Sequence, residues 1–284
     1  MGVENDAGGG QMSRPIVFDF LHYRDFLNAM IEYLKSKDQY NVRDFAKTAG
    51  FGSSNYMKMI LSRERCLTRK SAYKVAKAFE LTEQETKFLV LLVEFNESKR
   101  FPDRDRNYRE LLKFKKFRET HRAEANQFEY FSNWQIVALL EGIRTSLSLK
   151  SIQDIAQSLG ISDAELKKYL SILESLQLIR KDRGKWLRLN STVDTPVTIQ
   201  SLAVRNFHRE ILGKAIEALD DVPALERAAL SLTLALNPEK YEMLRTRLFE
   251  ILHELDAVYT TSEEDAESVY QLSLALFPLV RIKR

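Results

Sequence analysis

The residues with the clearest chemistry in this sequence form a cluster of cations in the first third of the chain. Between positions 58 and 77, Glu64 is the single acid. The basic residues there are Lys58, Arg63, Arg65, Arg69, Lys70, Lys74 and Lys77. Basic side chains at this density suit a nucleic-acid backbone, because each neutralised phosphate releases bound counterions. The whole chain has a net charge of only +3, so this attraction depends on where the charge is concentrated.

Three short helices are expected to position these cations, and together they span residues 41–79. In the first helix, apolar side chains recur at i, i+3, i+4 and i+7, at Val42, Phe45, Ala46 and Ala49. Gly50 then ends that helix, because glycine adopts the left-handed conformation at little cost. Ser53 or Ser54 can accept backbone N–H groups at the start of a second helix, and Thr68 is a good N-cap for a third. This order predicts a helix-turn-helix.

Residues 15–98 predict five helices that include the helix-turn-helix, an arrangement that resembles the phage-repressor type of DNA-binding domain. In such domains the second helix of the motif enters the major groove of duplex DNA. The side chains expected to hold phosphates are Lys58, Arg63, Arg65, Arg69, Lys70 and Lys74. Those expected at base edges are Ser53, Ser54 and Asn55. Double-stranded DNA is the expected partner, and we expect a homodimer because so short a polar set specifies few base pairs.

A different use of the same module is a protein-interaction scaffold or a signalling adaptor that does not bind DNA. Met57, Ile60 and Leu61 would then form an exposed apolar contact on the second helix, which suits a partner protein better than a groove. One observable feature separates the two hypotheses. Burial of these three side chains inside their own domain, with the basic residues on one face, favours DNA binding. Cover of the second helix by later domains of the chain favours the scaffold or an autoinhibited regulator.

A charged segment, residues 99–127, follows the first domain. Leu111 and Phe117 make it too apolar for a free linker, so one interpretation is a connecting helix that rests one face on a neighbouring domain. The other interpretation is a set of extra phosphate contacts, from Lys113, Lys115, Lys116 and Arg118.

Residues 128–195 carry the pattern of a winged helix. A long apolar helix over 128–147 precedes a pair of helices that turns at Gly160. A capping box that begins at Ser162 starts the second helix of this pair. Residues 179–189 then alternate around a central turn, as the two strands of a wing do.

The predicted winged helix has two interpretations. Asp163 and Glu165 lie in the first turn of its would-be recognition helix, where phosphates would repel them, and this favours a structural or dimer-forming module. Arg183 and Lys185 lie in the wing, where they would contact the DNA backbone if the module binds DNA directly.

Residues 196–284 predict a small α+β domain for dimerisation or effector binding. Residues 229–236 place leucine at every second position, a helix follows from Pro238, and residues 268–280 predict a second strand. A sheet with so few strands is rarely stable alone. Pairing across a homodimer is one way to complete it.

The helix expected at the start of this last domain carries three basic side chains, Arg205, His208 and Arg209. One interpretation is a pocket for an unidentified small-molecule or second-messenger effector. The other is that His208, together with Arg205 and Glu210, forms a polar group that anchors the helix against the winged module.

The rest of the sequence excludes several classes of protein. Its four histidines lack metal-ligand spacing and no hydrolase, Walker or dinucleotide motif is present, so we expect no metal, no cofactor and no enzyme activity. The lone Cys66 rules out an internal disulfide and favours a cytoplasmic location. Residues 1–14 are expected to be a disordered tail, and no apolar run reaches the roughly 18 residues of a membrane span. The expected fold is mainly α, in two or three domains.

Three segments of this chain resemble a paralogous family of bacterial regulator-like proteins. They are SNYMKMIL (54–61), SLAVRNFH (201–208) and YQLSLALFPL (270–279). Members of that family join an N-terminal helix-turn-helix to a C-terminal domain of unknown function and are described as transcriptional regulators. The resemblance extends from Phe20 onward and implies a regulator without an assigned ligand. One departure from the repressor pattern is Arg63, where such modules often have glycine.

Overall fold

The chain is mainly helical and carries one small two-stranded sheet, as a computed structural model shows. The structure describes residues 13–144, 152–189, 197–259 and 268–280. Two compact units are present, Met1–Ala125 and Asn126–Arg284. The expectation of a mainly α fold is therefore confirmed, and the finer division into domains stays a prediction. No helix in the described ranges has the length and hydropathy needed to cross a membrane.

The first unit is a series of helices that follows a short 3-10 turn at Val17–Asp19. They are α1 (Tyr23–Ser36), α2 (Val42–Thr48), α3 (Tyr56–Leu61), α4 (Arg69–Ala78), α5 (Glu83–Glu97), α6 (Phe101–Leu111), α7 (Lys115–Thr120) and the start of α8 (Arg122–Ser132). The capping box predicted at Thr82 and Glu85 is present and begins α5. Most of the predicted tail lies outside the described residues, but Arg14 donates to Phe79 O (2.9 Å), so the ordered chain begins before α1.

Aromatic side chains fill the centre of the first unit. Phe88 of α5 is fully buried, and its ring lies 4.8 Å from that of Phe18 and 5.0 Å from that of Phe117. Phe26 of α1 packs edge-on against Phe79, with centroids 6.2 Å apart. Such rings bury large apolar areas and prefer tilted or edge-on contacts. They join α1, α4, α5 and α7 around one core.

The segment predicted as one connecting helix, 99–127, is instead α6, α7 and part of α8. The prediction was wrong because the chain turns at Leu112–Phe114 and again at His121, where φ is −105° and ψ is 42°. Tyr108 of α6 is completely buried, as Leu111 and Phe117 also are. These residues are part of the packed first unit, so the segment is not a linker.

The second unit contains the rest of α8 and a set of shorter elements. They are α9 (Trp134–Arg144), α10 (Ile152–Ser158), α11 (Asp163–Ser175), β1 (Ile179–Asp182), β2 (Lys185–Arg188), α12 (Val197–Asp221) and α13 (Pro238–Tyr259). The predicted hairpin is confirmed: β1 and β2 pair antiparallel, with Ile179 opposite Arg188. Leu139, Leu173 and Ile179 lie in the core that joins α9, α11 and β1.

The single long helix predicted over 128–147 is broken at Asn133, so that prediction was also wrong. Asn133 Oδ1 accepts a hydrogen bond from Gln135 N (2.9 Å), which is the bond of a helix N-cap. Asparagine competes with the helix for backbone groups in this way, and α9 begins directly after it. Residues 145–147 lie outside the described residues.

The β-α-β unit predicted at the end of the chain is not formed within one chain. The helix is present as α13, but neither 229–236 nor 268–280 is a strand in the described structure. A strand needs a neighbour to pair its backbone groups, and none of the described segments of this chain supplies one. The leucine pattern therefore predicted that these segments have strand propensity, but it did not predict the conformation that they adopt in this chain.

Arg24 and Glu97 form an ion pair that connects α1 to the end of α5. Arg24 Nη1 lies 2.9 Å from Glu97 Oε1, and the Arg24 side chain is only 11% exposed. Tyr23 Oη donates to the same Glu97 oxygen (2.6 Å) and accepts from Leu67 N (3.3 Å). The carboxylate thus holds α1, α5 and the chain before α4 together.

The Glu97 carboxyl has a pKa below its usual range. Burial by itself would raise that pKa, but hydrogen bonds from Cys66 and Tyr23 and the positive charge of Arg24 lower it further than burial raises it. The hydrogen bond to Glu97 in turn raises the pKa of the Cys66 thiol, which keeps the thiol protonated at neutral pH. The first unit is therefore built around an ionised Glu97.

We predict that Glu97→Gln destabilises the protein at neutral pH by about 1–3 kcal/mol, because Arg24 loses its counter-charge. Since the folded pKa of Glu97 is lowered, its contribution is present above the ordinary glutamate pKa of about 4.3 and is lost as pH falls through the folded value. The gap between wild type and variant should therefore narrow in acid. Denaturant unfolding followed by circular dichroism over a pH series measures this gap.

The matched control for this prediction is Glu83→Gln, which removes an exposed carboxylate from the first turn of the same helix. Its ion pair with Lys87 is at the surface, so little change in stability is expected. A gap between wild type and Glu97→Gln that stays constant from neutral to acid pH would contradict the assigned role.

Candidate nucleic-acid interface

The turn between α2 and α3 is built by Gly50. Its φ of 64° is in the left-handed region, and Phe51 N donates back to Ala46 O (2.8 Å), which closes the end of α2. Phe45 and Ala46 are buried as predicted, but Val42 is 45% exposed. Val42 is the first residue of α2, one turn before the buried pair, and only the later part of the predicted apolar face is covered.

The six-residue helix α3 has one buried side and one exposed side. Met57 and Ile60 are buried, Leu61 is half-buried, and Lys58 is exposed on the other side. Asn55 is the N-cap residue, without a side-chain cap bond. Ser53, one of the two serines expected to cap the helix, lies two positions before this N-cap, and its side chain accepts from Asn55 N (3.2 Å).

Aromatic rings and cations alternate along the surface beside α3. The rings of Phe51 and Tyr56 are stacked, with centroids 4.2 Å apart. Lys74 Nζ lies 5.6 Å from the Phe51 ring, and the Arg65 guanidinium lies 5.6 Å from the Tyr56 ring. Lys74 also donates to Gly50 O (2.7 Å). These contacts bring two cations, from α4 and from the loop before it, to the turn that precedes α3.

Hydrogen bonds from the Arg24 side chain hold the loop that follows α3. Arg24 Nε donates to Ile60 O (2.9 Å), and its Nη2 donates to Arg65 O (3.3 Å). Between these points Arg63 has a φ of 64°, a left-handed conformation that costs a residue with a Cβ about 1–2 kcal/mol. The position where repressor modules often have glycine is thus a left-handed turn in this chain, although arginine occupies it.

The predicted phosphate ligands fall into two groups. Lys58, Arg63, Arg65 and Lys70 are exposed and Lys74 is half-buried, and we call these five residues the basic surface. Arg69 differs, because its Nη1 lies 2.8 Å from Glu94 Oε1 of α5. Hydrogen bonding to Glu94 raises the pKa of Arg69, so Arg69 stays charged and already has a carboxylate partner. Ser53, Ser54 and Asn55 are exposed before α3.

The hairpin of the second unit presents its own cations. Arg183 and Gly184 both have positive φ, 45° and 86°, which is the geometry of a tight two-residue turn. Arg183 and Lys185 are exposed at this turn. Arg188 differs because it forms an ion pair with Glu141 of α9.

The first turn of α11 is acidic, as the sequence predicts. The capping box is present, with Glu165 Oε2 accepting from Ser162 N (2.9 Å). Hydrogen bonds from the side chain and backbone of Ser162 lower the pKa of Glu165, which keeps it charged. Asp163 lies beside it. The carboxylates expected to repel phosphates are therefore at the start of this helix.

Arg205, His208 and Arg209 lie on one face of α12 and are all exposed. Glu210, one of the three residues expected to anchor this helix, contacts the start of α9. Glu210 Oε2 accepts from Trp134 N (3.2 Å), and the buried Asn206 lies 3.5 Å from Ser132 Oγ. The effector pocket stays a prediction.

Sequence reasoning missed Arg24 and Glu97, which position the loop after α3. Arg24 and Glu97 are far apart in sequence, and no motif connects them. The local signal is a charge on the edge of an apolar stripe: Arg24 precedes the buried Leu27 by three residues, and Glu97 follows the buried Val93 by four. A charged residue at such a position needs a partner.

Metal chemistry has no candidate site in the part of the chain that the structure describes. Within those ranges, no group of three or more histidine, cysteine or acidic side chains is arranged to hold an ion.

Comparison with known proteins identifies one family. The model of a domain of unknown function, DUF4423, matches residues 114–279, which is more than half of the chain. No curated protein matches the chain, and no solved structure matches it. The matched region begins just before α7 and includes the hairpin, α12 and α13. The chain belongs to the DUF4423 family.

Proposed function

We propose that this protein is a DNA-binding transcriptional regulator that acts as a homodimer. In this proposal α2 and α3 form a helix-turn-helix, and α3 enters the major groove. The basic surface holds phosphates on either side of it. Ser53, Ser54 and Asn55 then approach base edges. The resemblance to regulator-like proteins supports the same assignment.

The observation that carries this proposal is the alternation of cations and aromatic rings beside α3. Lys74 and Arg65 lie over the stacked rings of Phe51 and Tyr56, so their charges are held close to the turn before the helix. Cations placed over aromatic faces lose little additional freedom when they meet a phosphate. A surface whose cations are already held in place by aromatic rings favours the binding of a polyanion.

The scaffold alternative loses its main support. It requires Met57, Ile60 and Leu61 to form an exposed apolar contact on α3. Met57 is 3% exposed, Ile60 is fully buried, and only Leu61 is half-buried. These side chains serve the core of their own unit, which favours the DNA-binding hypothesis.

The second unit is proposed to be a winged helix whose first role is structural. The acidic start of α11 would face phosphates if that helix entered a groove, and phosphates would repel it. Arg183 and Lys185 at the hairpin turn are the residues that would reach a backbone if the wing assists. Base recognition is therefore assigned to the first unit.

We predict that Arg65→Ala combined with Lys70→Ala weakens binding to unrelated duplexes by the same factor. Each lost phosphate contact should make the plot of log affinity against log salt concentration shallower by about 0.9. The slope of the double variant should therefore be shallower by about 1.8. Fluorescence anisotropy with two labelled duplexes of different sequence, at several salt concentrations, measures both quantities.

The matched control is Lys87→Ala, an exposed lysine that pairs with Glu83 on α5 outside the basic surface. It should leave the salt slope unchanged. If wild-type protein ignores duplex DNA in dilute buffer, or if the double variant binds as the wild type does, the proposal fails.

Arg63 allows a second test, because its charge and its backbone conformation can be separated. Arg63→Gly suits the left-handed turn, so we predict no loss of stability together with a salt slope lower by about 0.9. Glu80 also has a positive φ, 53°, and Glu80→Gly is the matched control that relaxes the backbone without removing a cation. Thermal unfolding and anisotropy are measured on both variants. Equal DNA binding by Arg63→Gly and wild type would remove Arg63 from the interface.

A further inference from the structure

Apolar surface is concentrated in the last quarter of this chain. Among the described residues, all of the exposed large apolar side chains except Val42, Tyr73 and Leu187 lie beyond residue 211. Leu230 is 95% exposed and Leu232 is 80% exposed. Soluble proteins rarely leave a large apolar patch uncovered unless another molecule binds there. This surface therefore calls for a partner.

Two uncharged segments carry nine of these exposed side chains, 228–236 (AALSLTLAL) and 268–277 (SVYQLSLALF). Both place leucine at every second residue, so a strand conformation would put leucine on one face. The other face is small or polar in 228–236, and in 268–277 it carries Gln271, Ser273 and Ala275 between Val269 and Phe277. Within the described ranges neither segment has a strand partner. Apolar strand edges without charges pair readily with another chain.

Helix α13 lies between these segments and is itself uncovered. None of its 22 residues is buried, and Val258 is 71% exposed. Most of the stability of a helix in a protein comes from packing its apolar side against another element. The second half of α12 has the same character, with Leu212, Ile216 and Leu219 exposed. Both helices carry an apolar side that this chain does not cover.

We propose that residues 228–236 of one copy pair as a β-strand with residues 268–277 of a second copy. A two-fold axis makes this pairing reciprocal, so both copies satisfy both segments at once. The leucine faces of the resulting strands turn toward α13, which covers them. The surface is thus a homodimer interface formed by exchange of strands.

A second copy fits this surface better than a different protein does. Each chain carries both members of a matched pair, with the same uncharged leucine pattern in each. Part of the charge of α13 is paired along the helix itself, since Arg247 lies 2.9 Å from both Glu250 and Glu254. Obligate homodimer interfaces are more apolar than transient ones, and the exposed side chains of this surface include many large apolar ones.

The inference rests on the homodimer of the proposed function and names its surface. The interface and the DNA-binding function can be tested separately, because the oligomeric state is measured without DNA. A monomeric wild type overturns the interface and leaves duplex binding to its own test. A dimer that ignores duplexes overturns the regulator and leaves the interface standing.

The first experiment measures the mass of the full chain by sedimentation and light scattering at micromolar concentration. Wild type should have twice the 33.0 kDa mass of one chain. Leu232→Asp places a charge on the leucine face and should raise the dimer dissociation constant about a hundredfold or more. Thr233→Asp lies on the opposite face and should stay dimeric. A monomeric wild type, or equal dissociation constants for the two variants, would overturn the proposal.

A second experiment does not depend on how Leu232→Asp folds. In a Cys66→Ser background, one tagged copy carries Thr233→Cys and a copy with a different tag carries Ser273→Cys. Both positions lie on the face without leucine, so a disulfide between the tagged copies is expected after co-expression and mild oxidation. Neighbouring pairs, from Ser231 and Ala275, cover the alternative registers. A chain that carries both substitutions and cross-links only within itself would overturn exchange between copies.

Discussion

Arg24 is a cation inside the first unit. The conformation of the surface around α3 depends on the groups that stabilise the charge of Arg24. A guanidinium has five donors and stays protonated, so burying it is costly unless a carboxylate and several acceptors surround it. Glu97 supplies the charge, while two carbonyl groups, of Ile60 and Arg65, accept further hydrogen bonds. Those two carbonyls are at the end of α3 and in the loop after it. Satisfying Arg24 therefore fixes the backbone from which Arg63 and Arg65 project.

Features that depend on neighbouring residues could be predicted from the sequence. The two capping boxes, the turn at Gly50 and the hairpin turn at Arg183 each result from a few consecutive side chains and their own backbone. Features that depend on distant partners could not. Nothing close to Arg69 indicates that Glu94 of α5 will neutralise it, and nothing near Glu97 indicates Arg24. Local sequence patterns thus indicate where basic side chains cluster, but they do not indicate which of these side chains form ion pairs with distant carboxylates.

The end of the chain shows a different limit. Leucine at every second position is a property of one segment, whereas a strand is a property of two. The alternation in 229–236 therefore predicts which face would be apolar but not which chain supplies the partner. The same reasoning applies to α13, whose spacing is helical and whose apolar side has no cover among the described residues. Sequence periodicity indicates that a segment has an apolar face to bury, but it does not identify the element that covers this face.

The two proposals are connected by how little α3 can recognise alone. In the proposed complex, a helix of six residues, with Lys58 exposed and three short polar side chains before it, would make few base contacts. Discrimination between DNA sequences then requires two such helices on one duplex. A dimer supplies the second helix at high effective concentration, provided that its interface outlasts each encounter with DNA. The apolar interface proposed for the second unit would meet that requirement, and it uses none of the residues of the basic surface.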